Sequence, residues 1–202
     1  MICSYNVYIF INSAPHIDME RTAATPAPTL MLLPKRTPKR VLPQPQAIRH
    51  YAEIAKTSRP IDLAVIHCSA TRSNVNYPPE RLIRDHLLRG FVHAGYHFYI
   101  LRNGDLYSLR PLSMVGAHAA GHNERSIGIC YEGGLSPDGV PEDTRTKAQK
   151  VMMDQLLFRL RELWPDLRVL GHRDLSPDKN GDGLITSVDW LKECPCFDAR
   201  KL

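Results

Sequence analysis

Two imidazoles and a thiol have the residue types of a metal site: His67 in His67-Cys68-Ser69-Ala70-Thr71, His172 in Gly171-His172-Arg173-Asp174, and Cys194 in Lys192-Glu193-Cys194-Pro195. Two neutral histidines and a thiolate suit zinc, and three protein donors leave a fourth position open. Such a site polarises a carbonyl and lowers the pKa of water to about 7. His67 and His172 lie 105 residues apart. No local spacing rule joins them, so on composition alone each fits a hydrogen-bonded structural histidine better than a ligand.

A second candidate is contiguous. Residues 178–189 match an EF-hand loop at Asp178, Asn180, Asp182 and Gly183, with Leu184 at the position that offers a backbone carbonyl. Alternating oxygen donors converge on a hard cation such as calcium, and the glycine permits the sharp turn. Asp189 stands where Glu is usual, with a shorter reach. The competing reading is an Asn/Asp/Gly-rich turn that binds nothing.

The elements that must carry these residues follow from periodicity. Ile61–His67 reads as a buried strand with His67 at its end. Pro78-Pro79 starts a helix whose stripe Leu82, Ile83, His86, Leu87 ends at Gly90. Asn103-Gly104 between Tyr96–Leu101 and Leu106–Leu109 predicts a hairpin. Ser126–Tyr131 is a further strand, Thr146–Trp164 a long amphipathic helix stopped by Pro165, and Arg168–His172 a last strand. Interleaved strands and helices predict an α/β class: a single domain with a central mixed β-sheet flanked by helices, over residues 60–202.

Residues 1–59 read differently, as a flexible, Pro-rich basic leader. Residues 1–60 hold 8 of the 16 prolines, none of the 12 glycines, and a charge of +5 out of the chain's total of +5. The body is therefore neutral overall, which argues against specific nucleic-acid binding. The apolar run Tyr5–Ile11 lacks preceding positive charges and a small-residue cleavage site, so no export signal is expected. No stretch reaches the roughly 20 apolar residues of a membrane span. Five cysteines (Cys3, Cys68, Cys130, Cys194, Cys196) make a poor disulfide framework. Cys68 and Cys130 read as small buried hydrophobes, and Cys196 as a packed or spare thiol.

The order His67-Cys68-Ser69-Ala70-Thr71, Gly95-Tyr96-His97-Phe98, Gly116-Ala117-His118-Ala119, Asn123 with Ser126-Ile127-Gly128-Ile129, Gly171-His172-Arg173-Asp174 and Lys192-x-Cys194-Pro195 closely resembles the zinc-dependent type 2 N-acetylmuramoyl-L-alanine amidases. That family includes phage lysozyme-like amidases and peptidoglycan recognition proteins, and the likeness spans about Ile61 to Asp198. The resemblance implies zinc on His67, His172 and Cys194, catalytic roles for Tyr96 and Lys192, and a substrate groove lined by His118 and Asn123. It implies hydrolysis of the amide between N-acetylmuramic acid and L-alanine in peptidoglycan, by a phage-type or bacterial wall lysin. Some relatives bind peptidoglycan without cutting it, so a non-catalytic binding module is the alternative; all five key positions are filled here, which favours catalysis. Cytoplasmic synthesis with action on the wall, and a monomeric state, are expected. Cys196 departs from the family pattern, which often has Ser there.

Overall fold

The computed structural model describes residues 44–49 and 53–202. Cys3, the apolar run at 5–11 and the rest of residues 1–43 and 50–52 lie outside the described residues, so most of the leader reading does too.

Eight strands and two helices follow in chain order among the described residues: β1 (Gln46–Ile48), β2 (Leu63–Cys68), β3 (Thr71–Arg72), α1 (Pro79–Leu88), β4 (Phe98–Ile100), β5 (Leu106–Ser108), β6 (Ser126–Tyr131), β7 (Gly134–Leu135), α2 (Lys147–Leu163) and β8 (Arg168–Gly171). Six strands form one sheet in the order β1-β5-β4-β6-β2-β8. β4, β6, β2 and β8 run parallel, whereas β5 pairs antiparallel with both β1 and β4, so the sheet is mixed. β3 and β7 make a separate parallel pair.

β2 and β6 are buried on both faces, as parallel strands under helical cover must be. Alternation assigns the faces. Ala64, Ile66 and Cys68 of β2 join Ile127, Ile129 and Tyr131 of β6 in the core beneath Met153, Leu156, Leu157 and Leu160 of α2. Each of those four helix side chains, removed from water, contributes about 1.5–3 kcal/mol. The intervening Leu63 and Val65 pack with Ala119 on the opposite face, and His67 follows them there by the period of two. Tyr99 and Cys130 share a third cluster with Leu82 of α1.

α2 starts where its sequence requires. The Thr146 hydroxyl accepts from the Gln149 N–H, and the Gln149 side chain accepts from the Thr146 N–H, a reciprocal cap that satisfies two otherwise orphan donors. Asn103-Gly104 forms the predicted turn between β4 and β5, with Gly104 at φ +92°.

Several boundaries differ from the sequence reading: β2 is shifted to Leu63–Cys68, which leaves His67 one residue before its end, and β4 and β5 are shorter than the runs that predicted them. The last strand stops at Gly171, and His172 opens a 3-10 turn, His172–Leu175. Gln46–Ile48, read as leader, is an edge strand on β5; Ile54 is buried in the core and the Arg59 guanidinium donates to the carbonyls of Leu112, Met114, Asn123, Glu124 and Ser126. Local composition hid this, because both the strand pairing and the guanidinium's acceptors are supplied by distant sequence.

Candidate metal centre

Three segments deliver three donors to one place. The sheet presents His67 one residue before the end of β2, fully buried. The turn after the neighbouring β8 presents His172. The Cys194-Pro195 segment is tied down by two hydrogen bonds: Arg173 N–H donates to Cys194 O at 2.8 Å, and the Tyr131 hydroxyl to Pro195 O at 2.7 Å. The ligating atoms of His67, His172 and Cys194 all lie within 4.8 Å of one another, and no other such group of His, Cys, Asp or Glu occurs among the described residues. The His67 and His172 rings are 4.7 Å apart at 67°.

The atoms can be assigned. His67 Nδ1 lies 3.9 Å from Cys194 Sγ, while its Nε2 lies 3.1 Å from His118 Nδ1. A tetrahedral zinc with bonds of about 2.0–2.3 Å separates its donors by about 3.3–3.8 Å. The donor set therefore fits zinc with small side-chain adjustments. The Cys68 N–H donates to Cys194 Sγ at 3.2 Å. Burial holds His67 well below the ordinary histidine pKa, helped by His118, His172 and the Lys192 charge. His172 is pushed down to about 4 by burial and by Lys192. Both rings are thus neutral with a lone pair available, as a metal requires.

Around this group stand the other residues singled out from sequence. The Tyr96 ring, just before β4, lies 4.9 Å from that of His67, and burial raises its phenol well above the usual value. Lys192 is exposed at the rim, near enough for its charge to act on both histidines. His118 is buried and touches His67 directly, with Ser126 Oγ 3.4 Å from its other nitrogen. Gly128 makes that position possible: a Cβ there would lie 2.5 Å from the His118 ring. Asn123 accepts the N–H groups of His118 and Ala119 on its side-chain oxygen, and so shapes the loop that carries His118. Both residues are thus engaged by contacts within the protein.

Sequence reasoning assigned no role to Ser126, His97 or Arg59. His97 accepts from the Gly128 N–H at Nδ1 and faces Met114 O at Nε2, which places its proton on Nε2. The blocks Gly95-Tyr96-His97-Phe98 and Ser126-Ile127-Gly128-Ile129 marked the segments of His97 and Ser126; nothing local marked Arg59.

The 178–189 loop is built otherwise. Asp178 accepts the N–H groups of Gly181 and Gly183, and Asp182 accepts the Leu184 N–H and the Asn180 side-chain amide. Asp189 is fully buried and accepts from Lys179 N–H, Thr186 N–H and the Thr186 hydroxyl. Leu184 is exposed. The carboxylates of Asp178, Asp182 and Asp189 do not converge as a metal-holding group, so calcium binding finds no support: the side-chain oxygens that would face an ion are engaged with the loop's own amides.

The profile of a protein family described as N-acetylmuramoyl-L-alanine amidase matches residues 57–184. The chain belongs to this amidase family. The endolysin of Enterobacteria phage K11 is 32% identical over 136 residues, covering 67% of this chain and 81% of that protein. The endolysin of Escherichia phage T7 is 31% identical over 140 residues, covering 69% and 83%. Among solved structures, the endolysin amidase LysCS from Clostridium intestinale URNW superposes with a TM-score of 0.54 at 27% identity, over 69% of this chain and 78% of that one. The family match ends at 184, before Lys192 and Cys194, so the third donor of the candidate site rests on the geometry given above.

Proposed function

We propose that the chain is a zinc-dependent amidase that cleaves the bond between N-acetylmuramic acid and L-alanine in peptidoglycan, acting as a phage-type or bacterial wall lysin. The convergence of His67, His172 and Cys194 from three separate segments carries this reading. Family membership and similarity to phage endolysins support the substrate class.

His67 Nδ1, a His172 ring nitrogen and Cys194 Sγ would hold the ion. Zinc there supplies Lewis acidity toward the scissile carbonyl and a more acidic water. The chain's own groups do the rest. His67 keeps Nδ1 free by carrying its proton on Nε2, which donates to His118 Nδ1; His118 then carries its proton on Nε2, facing Ser126 Oγ. Orienting a ligand ring through its second nitrogen fixes both tautomer and direction. Tyr96 remains a neutral O–H donor at any working pH, because burial disfavours its phenolate. It stabilises negative charge developing on the carbonyl oxygen. Lys192 adds a positive charge on the same rim.

The decisive experiment measures metal content of the purified full chain together with release of new L-alanine amino termini from purified peptidoglycan. Stoichiometric zinc and amino-terminal release without new reducing sugar ends are expected. Peptidoglycan retention with no released amino termini would instead assign a binding module.

A further inference from the structure

A pair of thiols lies beside the metal-donor group without belonging to it. Cys68 Sγ and Cys196 Sγ are 3.9 Å apart, in contact, and Cys196 Sγ also faces the Gly134 carbonyl at 3.2 Å. The slot that holds them is a product of Gly134: a Cβ there would lie 2.5 Å from Cys68 Sγ. Cys68 is in the main core, and Cys196 packs against that core from the half-buried C-terminal segment. Both are free thiols. Cys196 stands two residues past Cys194. It also sits at φ +70°, a left-handed conformation that turns the segment after Cys194-Pro195 back toward β2.

We propose that Cys68 and Cys196 are a disulfide-forming pair that staples the C-terminal metal-bearing segment to the end of β2 when the protein meets a disulfide oxidant. Cys196 Sγ, half-buried, loses its proton as it attacks one sulfur of a small-molecule disulfide and displaces the first reduced thiol. Cys68 Sγ, 3.9 Å away, then loses its proton as it attacks the Cys196 sulfur of that mixed disulfide and displaces the second. Two protein thiols lose two protons and two electrons to one protein S–S bond, and the oxidant is reduced to two thiols. Cys68 needs no solvent access, because its step is intramolecular.

The location gives the bond its effect. Cys68 directly follows His67, and Cys196 lies two residues beyond Cys194. The bond closes a loop of more than a hundred residues, which restricts the unfolded chain strongly. It joins two of the three segments that carry the donor group without consuming a donor. Cys130 stands apart, with its thiol donating to the Tyr131 carbonyl. The pair forms without reference to any ion, so its failure leaves the amidase reading untouched.

The test treats the folded full chain with oxidised glutathione and maps the peptides by mass spectrometry without reduction. The expected result is a loss of two hydrogens, one linked peptide pair joining Cys68 to Cys196, and a Tm about 5 °C or more above the dithiothreitol-treated sample. Cys196→Ser is expected to lose both the linkage and the Tm difference. Should that variant fold poorly, Cys68→Ala tests the same link from the other side, and the wild-type map stands by itself. A bond through Cys194, a glutathione adduct that persists on Cys196, no reaction in the folded chain, or a linkage that lowers Tm would each overturn the proposal.

Discussion

The donor group around His67 and the loop over residues 178–189 both carry metal-ligand residue types, yet they spend them in opposite ways. Around His67, donors from three remote segments face one another; His118 and the Arg173 amide hold atoms they do not offer, and the Cys68 amide donates to the offered Cys194 Sγ itself. In the loop, the acids are contiguous and satisfy their own backbone. The loop's carboxylates, though spaced for an ion, do not gather into one donor group. A spacing with no local rule becomes a site when buried outer contacts hold its donors in place.

Removing a donor is the sharpest way to break that contrast. Cys194→Ala or His67→Ala is expected to reduce amide cleavage to background and to abolish zinc retention after dialysis, measured by metal analysis. Next in size, Lys192→Ala and Tyr96→Phe should keep zinc but lower the cleavage rate by about 10²–10³-fold, the range seen when one oxyanion donor is lost. Near-normal turnover in either variant would remove that residue's role.

His118→Ala sharpens the comparison from outside the donor set. Loss of the contact to His67 should weaken zinc affinity by about 10–100-fold in chelator competition while the fold is retained. Unchanged affinity would return His118 to the substrate groove.

Stability against pH tests the buried histidines behind the donor group. Burial pushes His97 down to about 4 from 6.5, so the folded state keeps it neutral where the unfolded chain already binds a proton. Its contribution is complete above about pH 6.5, is lost progressively below that, and is gone near pH 4. The total is about 3 kcal/mol. His97→Gln should flatten the fall of unfolding free energy between those limits.

The smallest effect belongs to the loop. Added calcium should leave Tm within about 1 °C, because the carboxylates already have partners. Asp189→Ala should nonetheless lower Tm by roughly a few degrees, since three hydrogen bonds to a buried side chain are lost. A calcium-dependent rise that vanishes in Asp178→Asn would reverse the assignment.

Much of the fold was legible before any coordinates. Ser126–Tyr131 is the strand its apolar run predicts, and α2 begins at the Thr146 cap and ends before Pro165, because these elements are specified by neighbours a few residues away. Gln46–Ile48 was not legible: an edge strand of three residues acquires its identity from β5. The Arg59 clamp was hidden for the same reason, its acceptors lying 53 to 67 residues along the chain.

The site divides along the same line. Residue types, their order and the resemblance they carry determined the donor candidates, the family and the class of chemistry. Tertiary structure alone decided that His67 turns Nδ1 toward Cys194 and Nε2 toward His118, that Asp189 points inward, and that Cys196 meets Cys68. Periodicity reports which face a side chain takes on its own element. Which distant atom waits on that face depends on strand register and loop packing, and these are set only when the whole sheet closes around its core.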